Sequence, residues 1–561
     1  MGKEVPATSD ILTPDTPEAP EIPPEDSERA FVRRTAAMSV GTALSRLTGF
    51  LRVSATAFAL GVAQTRLATA YTIANNTPNI VYELVLGGVL TSVFVPVFVQ
   101  WLDERGREDA WDVARSVLTI AFAALSAITV VTVLAAPWIV RLYMVGATGR
   151  GVEAARAFAT FCLRLFMPQI IFYGIGAVAT GLLNAHRRFA APMFAPILNN
   201  LIVIGTMLAF VAIGRGDRPT PASISNAQRW LLAVGTTLGV VGMTLALWPS
   251  LRRLGFRFRW RLEWRHPAVR RVARLALWTL VYVVANQLGL LVVIIMATGR
   301  SGYAAYTAAL ILFQLPHAIF AVSIFTALLP ALSTRWTARD VDGFRTLLSQ
   351  GIRATAVIVV PAAAGYLVLA TPVVRLILQH GAATARDTEL VAGLLRSFAL
   401  GLFFFSLFQL LLRAFYAMQD TRTPALVNVA AVVVNTGANL LFFFTFRMHL
   451  VGLALGYTAS YAFGSIALLA LIRRRLHHLE GRRIAASMVR TSIASGATAA
   501  VAWVVARTIG HALGTATVSA QVVQVSGSVV AGLLAFVLSA LIVRLDEVDV
   551  MRRQLTTRWT R

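Results

Sequence analysis

Lysine, cysteine and acidic side chains are all scarce in this sequence. Lys3 is the only lysine, Cys162 the only cysteine, and 26 acidic residues are spread over 561 positions. A lone cysteine excludes an intramolecular disulfide, a cysteine metal cluster and a cysteine redox pair. Set in an apolar run, Cys162 reads as a buried structural thiol. The sequence also lacks a phosphate-binding loop, an HExxH zinc site, a nucleophile elbow and a paired-carboxylate constellation. Those absences exclude an ATP-driven pump and the common hydrolases, so no catalytic residue, metal or cofactor is expected and the work left is transport or scaffolding.

What is present is apolar. Hydrophobic residues make up 57% of the chain, charged residues 14%, and the mean hydropathy is +0.69. A soluble domain of that composition would expose large apolar patches, so most of the chain is expected in lipid. Runs of about twenty apolar residues predict about fourteen transmembrane helices in an all-α integral membrane protein. They fall near 32–60, 67–99, 111–140, 157–183, 191–213, 230–248, 272–298, 303–332, 352–370, 389–416, 424–446, 450–472, 486–510 and 521–543.

The net charge of +25 raises nucleic acid as a partner. The arginines, however, sit in short loops between apolar runs rather than on one amphipathic face, which excludes it. An even number of spans puts both termini on one side, and the loops on that side, including 252–274 and 473–490, carry most of the basic residues. The positive-inside rule then makes both termini cytoplasmic, in an inner membrane. Residues 1–28, rich in Pro and acid, read as a disordered tail without the pattern of a signal peptide. Residues 544–561 read as a short basic cytoplasmic tail.

An internal repeat organises the rest. AYTIANNTPNI from Ala70 is echoed by AYTAALILFQLP from Ala305, and APWIVRLYM from Ala136 by TPVVRLILQ from Thr371. CLRLF from Cys162 is echoed by LLRSF from Leu394, and LLNAHRRFAAP from Leu182 by AFYAMQDTRTP from Ala414, all at offsets of 232 to 235. Duplication predicts two pseudo-symmetric six-helix lobes, 29–250 and 251–473, followed by two additional helices in 474–543. Six spans per copy give both copies one orientation, so the lobes are related about the membrane normal and the substrate path lies between them.

Charged and amide side chains inside the spans are the candidate site. SRLTGFLR places Arg46 and Arg52 within the first span, where a guanidinium needs water or a counter-charge unless it snorkels to the headgroups. The second span carries Asn75, Asn79 and Glu83 at four-residue spacing with Asn76 beside them, a polar stripe that lines a hydrated cavity or bonds to a neighbouring helix. Secondary candidates are Arg164 and Arg396, at equivalent positions of the two repeats, with Gln314 and His317. Asn428, Asn435 and Asn439 form another single-face stripe, and Gly235/Gly239 and Gly452/Gly456 have the spacing of close helix packing. An excess of arginine over carboxylate inside the spans favours an anionic substrate.

SRLTGFLR and TPNIVYELVLGGVLTSVFVPVFVQ from Thr77 strongly resemble the opening of the MurJ/MviN lipid II flippases, within the multidrug/oligosaccharidyl-lipid/polysaccharide exporter superfamily and closest to its actinobacterial branch. LLNAHRRFAAPMFAPILNN from Leu182 extends the likeness. The resemblance implies a V-shaped central cavity, a groove for a polyprenyl tail formed by the last two spans, and translocation of lipid II by alternating access. It also implies contact of Arg46 and Arg52 with the pyrophosphate. Other family charges do not carry over: the corresponding positions are Thr69, Tyr82 or Glu83, Gly87 and Ile311. Lipid II, membrane lipids and cell-wall synthesis proteins are the implied partners. The alternatives are a flippase for another polyprenyl-linked glycan and a transport-inactive scaffold for cell-wall synthesis.

Overall fold

A computed structural model describes residues 44–63, 66–86, 106–186, 188–215, 219–261 and 267–545, with Gly41, Phe98, Glu104, Asp217 and Glu547 besides. The N-terminal tail, Gly87 and nearly all of the C-terminal tail lie outside the described residues. Everything regular among those residues is helical. Helices are what lipid permits, because each satisfies its own backbone hydrogen bonds.

The first helices among the described residues are α1, residues 44–60, and α2, Arg66–Leu86. Then come α3 (Arg107–Tyr143), α4 (Val152–Phe166), α5 (Gln169–Ala185), α6 (Ala190–Ile213) and α7 (Asn226–Leu245), with a one-turn α8 (Trp248–Arg253). α9 (Pro267–Gly299) leads into α10, which runs from Tyr303 to Thr337 through a π-turn at His317–Ala321. α11 (Val341–Leu378), α12 (Ala385–Ala399), α13 (Leu402–Ala417), α14 (Arg422–Leu440) and α15 (His449–Arg475) follow. α16 (Gly481–Leu513) and α17 (Val518–Ile542) complete the chain.

Among the described residues, ten helical segments are long and apolar enough to cross a membrane, and the bent pair α12–α13 makes an eleventh. Those eleven coincide with eleven of the expected spans. The other three coincide with α1, α2 and α9: the expected stretches 32–60 and 67–99 are described only in part, and α2 is made less apolar by its own polar stripe. Two expected spans are not single helices. The one near 157–183 breaks at Pro168, which has no N–H to give, and still passes as one apolar path. The one near 389–416 breaks at Leu400–Gly401 and bends by 48°. The absence of a side chain on Gly401 lets that corner approach Thr458 of α15, with which any Cβ would collide.

Duplication is visible in the packing as well as in the letters. α4 and α12 are both 15 residues long. In the first lobe α2 packs on α4, α3 on α4 and α5, α6 on α7, and α4 and α5 on α7. The second lobe repeats each contact, with α10 on α12, α11 on α12 and α13, α14 on α15, and α12 and α13 on α15. α9 touches both sets, packing on α2 and α3 and on α14 and α15. The additional pair packs on α11: Leu369 meets Ala502 and Ala506, and Val357 lies with Ala494, Phe536 and Ala540. A salt bridge of 2.6 Å from Arg353 to Glu547 fixes its far end.

The two GxxxG spacings mark close helix crossings. Gly235 and Gly239 let α7 lie against Thr206 and Asn199 of α6, and Gly452 and Gly456 let α15 lie against Phe442 and Asn439. Asn439, fully buried against Gly456, donates to Asn435 Oδ1 at 2.9 Å one turn back on α14, so its end of the second asparagine stripe lies at the α14–α15 crossing. Cys162 is buried in the core of the first lobe. Replacing Gly456 by Leu forces the α14–α15 crossing apart at a cost of about 1–3 kcal/mol. We expect a lower melting temperature in detergent, with Gly437→Leu, whose Cβ meets open space, as the control.

Candidate functional site

α1, α2 and α10 enclose a cavity of about 750 Å³, with contributions from α5, α6, α7 and α9. Arg46 and Arg52 line it from α1, Asn75, Asn76 and Asn79 from α2, and Gln314 from α10. On a straight helix the two arginines stand about 120° apart, and the cavity is wide enough to take both. Neither guanidinium has a hydrogen bond or ion pair with any described side chain or backbone group. No Asp or Glu occurs among the described lining residues. The arrangement is a cationic, amide-rich chamber, suited to hold an anion through Arg forks.

The amides are held in place by their neighbours. Asn76 Nδ2 donates to the Tyr303 hydroxyl at 3.2 Å, a contact between the lobes. Asn200 Nδ2 donates to Thr48 Oγ1 at 3.1 Å and to the Ser45 carbonyl at 3.3 Å, which fixes α6 against the arginine-bearing helix. Tyr71, itself part of the chamber wall, shares a hydrogen bond of 2.8 Å with Thr236.

Backbone contacts between the lobes close one end of the chamber, at the α1–α2 turn. Ala382 N–H donates to the Phe58 carbonyl at 2.8 Å, and Ala63 N–H to Asp387 Oδ1 at 3.0 Å. Asp387 also caps α12, accepting from the Thr384 N–H at 3.0 Å and from its hydroxyl at 3.1 Å. Gly381 sits at φ +61° directly on Phe58, where any side chain would collide with the ring and the carbonyl. Thr69, at a position where the family resemblance implies an acid, donates to the Ser301 carbonyl at 2.8 Å and belongs to the same closure.

Four candidates lie elsewhere. Glu83 is exposed one turn beyond the lining part of the stripe. His317 is 8% exposed, bonded to Ser406 Oγ at 2.9 Å and packed on Phe405, which makes it a core histidine at the π-turn. Arg396 donates to the Leu367 carbonyl and to Thr371 Oγ1 at 2.7 Å, outside the chamber. Arg164 lines a different cavity on the first lobe. Conversely, Asn199, Asn200, Tyr173, Tyr306 and Thr307 line the chamber without having been singled out. The only signal for the first two is an adjacent Asn pair in an apolar run. Ile311 forms part of the chamber wall, apolar where the resemblance implies an arginine.

A duplicated helical bundle with a polar chamber between its halves defines a multi-pass membrane transporter. The family described as "Lipid II flippase MurJ" matches residues 56–523, and the chain belongs to that family. It is a multi-pass protein of the inner membrane. The lipid II flippase MurJ of Burkholderia cenocepacia is 28% identical over 407 residues, 72% of this chain and 76% of that one. The probable lipid II flippase MurJ of Haemophilus influenzae is 27% identical over 478 residues, 82% of this chain and 90% of its own length. Among solved structures, a lipid II flippase MurJ in an inward closed conformation shares the fold with a TM-score of 0.71 at 20% identity, over 90% of this chain and 98% of that one. An inward-facing multidrug transporter of the MATE family shares it at 0.64 and 17% identity, over 78% and 98%.

The chamber geometry predicts a difference in thiol reactivity. Asn79→Cys, on the exposed side of α2 within the chamber, should react with a small water-soluble maleimide, whereas the native Cys162 should react only after denaturation. Labelling of Cys162 alone in the folded variant would show that the stripe faces no water.

Proposed function

We propose that this chain flips lipid II from the cytoplasmic to the outer leaflet by alternating access, with Arg46 and Arg52 holding the pyrophosphate. The observation that carries the reading is the pair of guanidiniums that no described residue partners, in a chamber with no carboxylate among its described lining residues. Two like charges at that depth are tolerable only with water or an anion beside them, and a pyrophosphate supplies several acceptor oxygens in one ligand.

Asn75, Asn76 and Asn79, with Gln314, would meet the sugar-peptide head, which is rich in amide and hydroxyl groups. The polyprenyl tail stays in lipid, against α16 and α17. Both termini are assigned to the cytoplasm from the distribution of basic loops. The contacts at the α1–α2 turn then close the outer end, and the rocking of two lobes about them exposes the chamber to each side in turn. Membrane lipids and cell-wall synthesis proteins are the further partners this placement implies.

Arg46→Ala and Arg52→Ala should each fail to complement a flippase-depleted strain while remaining in the membrane at normal abundance. Loss of one charge-assisted contact of about 1.5–3 kcal/mol corresponds to at least a tenfold drop in translocation by purified protein in vesicles with labelled lipid II. Arg52→Lys keeps the charge but not the fork, so it should fall between. Full activity of both alanine variants would remove the assigned roles. Translocation of another polyprenyl-linked glycan in preference to lipid II would redirect the substrate while keeping the phosphate contacts, and no translocation of either above empty vesicles would leave a scaffold.

A further inference from the structure

A second cavity, of about 530 Å³, lies on the first lobe between the end of α3, α4 and the start of α7. It shares no lining residue with the central chamber. Arg141, Arg156, Arg164, Glu153, Phe161 and Trp230 line it, three cations to one carboxylate. Arg156 is already engaged, donating to Glu153 Oε2 at 3.1 Å and to the Met144 carbonyl at 3.1 Å. Glu153 points outward, with its side chain 82% exposed. Arg141 and Arg164 have no hydrogen bond or ion pair with described residues.

The repeat supplies an internal comparison. Arg396, the counterpart of Arg164, is satisfied by the Leu367 carbonyl and the Thr371 hydroxyl of α11. In the first lobe the matching position to Thr371 is Ala136, so Arg164 has no such hydroxyl to bond. The faces of α3 and α11 differ in the same way. Leu369 of α11 is 3% exposed beneath α16, while its counterpart Leu134 on α3 is 66% exposed and Trp138 65%. The helix pair that covers one lobe leaves the equivalent face of the other open to the bilayer.

We propose that this cavity binds the phosphate of an anionic phospholipid, with Arg141 and Arg164 as its ligands. Arg141 stands in the last turn of α3 and Glu153 in the first turn of α4, which is headgroup depth. Trp230 near the start of α7, in edge contact with Phe161, is placed as interfacial aromatics are. The lipid tails would lie along Leu134, Trp138 and Leu142, all exposed on α3. An unpaired guanidinium facing hydrocarbon is costly, and a lipid phosphate removes that cost where no carboxylate of the protein does.

Native mass spectrometry of the purified full chain, incubated with equimolar phosphatidylglycerol and phosphatidylcholine, tests this. The wild type should retain phosphatidylglycerol in preference, and Arg141→Gln/Arg164→Gln should bind it about tenfold more weakly. Arg396→Gln should leave retention unchanged, and Arg141→Gln alone should give a partial loss if the double variant fails to fold. Equal retention of the two lipids, wild-type affinity in the Gln variants, or full displacement of the lipid by excess inorganic phosphate would overturn the proposal. Because the readout is lipid binding, it stands or falls separately from the flipping assay.

Discussion

An arginine side chain within a membrane span must meet water, an anion or a carbonyl, because hydrocarbon offers it nothing. That constraint explains more of this structure than any packing preference. Arg46 and Arg52 on α1 require a hydrated space beside them, and α2 and α10 supply its walls with Asn75, Asn76, Asn79 and Gln314. Those amides in turn need a hydrated or hydrogen-bonded face, which fixes the rotation of α2. The space lies where the two six-helix halves meet, beside a hydrophobic core that runs through both.

Duplication followed by unequal covering accounts for the remaining arginines. Both lobes keep the same helix contacts, and both keep an arginine in the last turn of a 15-residue helix. In the second lobe α11 provides Thr371 for it and is itself covered by α16; in the first lobe neither holds. A change of one side chain and one neighbour turns a structural arginine into a ligand-seeking one.

Much of this was legible in the letters. Span positions follow from apolar length, the repeat from constant offsets, and the chamber residues of α1 and α2 from charge and four-residue spacing. What periodicity does not specify is which neighbour a face meets. His317 and Gln314 sit three residues apart on one helix, yet Gln314 reaches the chamber and His317 turns to Ser406. The π-turn that begins at His317 shifts the register just there. Arg164 and Arg396 looked alike because the repeat makes them alike, and only tertiary contacts separate them. Asn199 and Asn200 were hidden for a different reason: an amide in an apolar run is as well explained by helix packing, and both are largely buried. The breaks at Pro168 and Gly401 escaped because apolar length continues through them.

Among the described residues, the hydrogen bonds that join the lobes at the α1–α2 turn include Phe58 with Ala382, backbone to backbone, and Ala63 with Asp387 and Thr69 with Ser301, each between a backbone group and a side chain. At about 1 kcal/mol net each, these three contribute a few kcal/mol to the closure. A ligand shifts a two-state equilibrium only by its difference in affinity for the two states. Contacts of two guanidiniums with a pyrophosphate, at about 1.5–3 kcal/mol each, are of the same size as those three hydrogen bonds together. On the proposed reading, a substrate whose phosphates engage Arg46 and Arg52 better in one state than the other would offset them, whereas one that met only the amides would contribute less. Selectivity for an anionic headgroup and opening of the closed end would then both depend on the same two side chains.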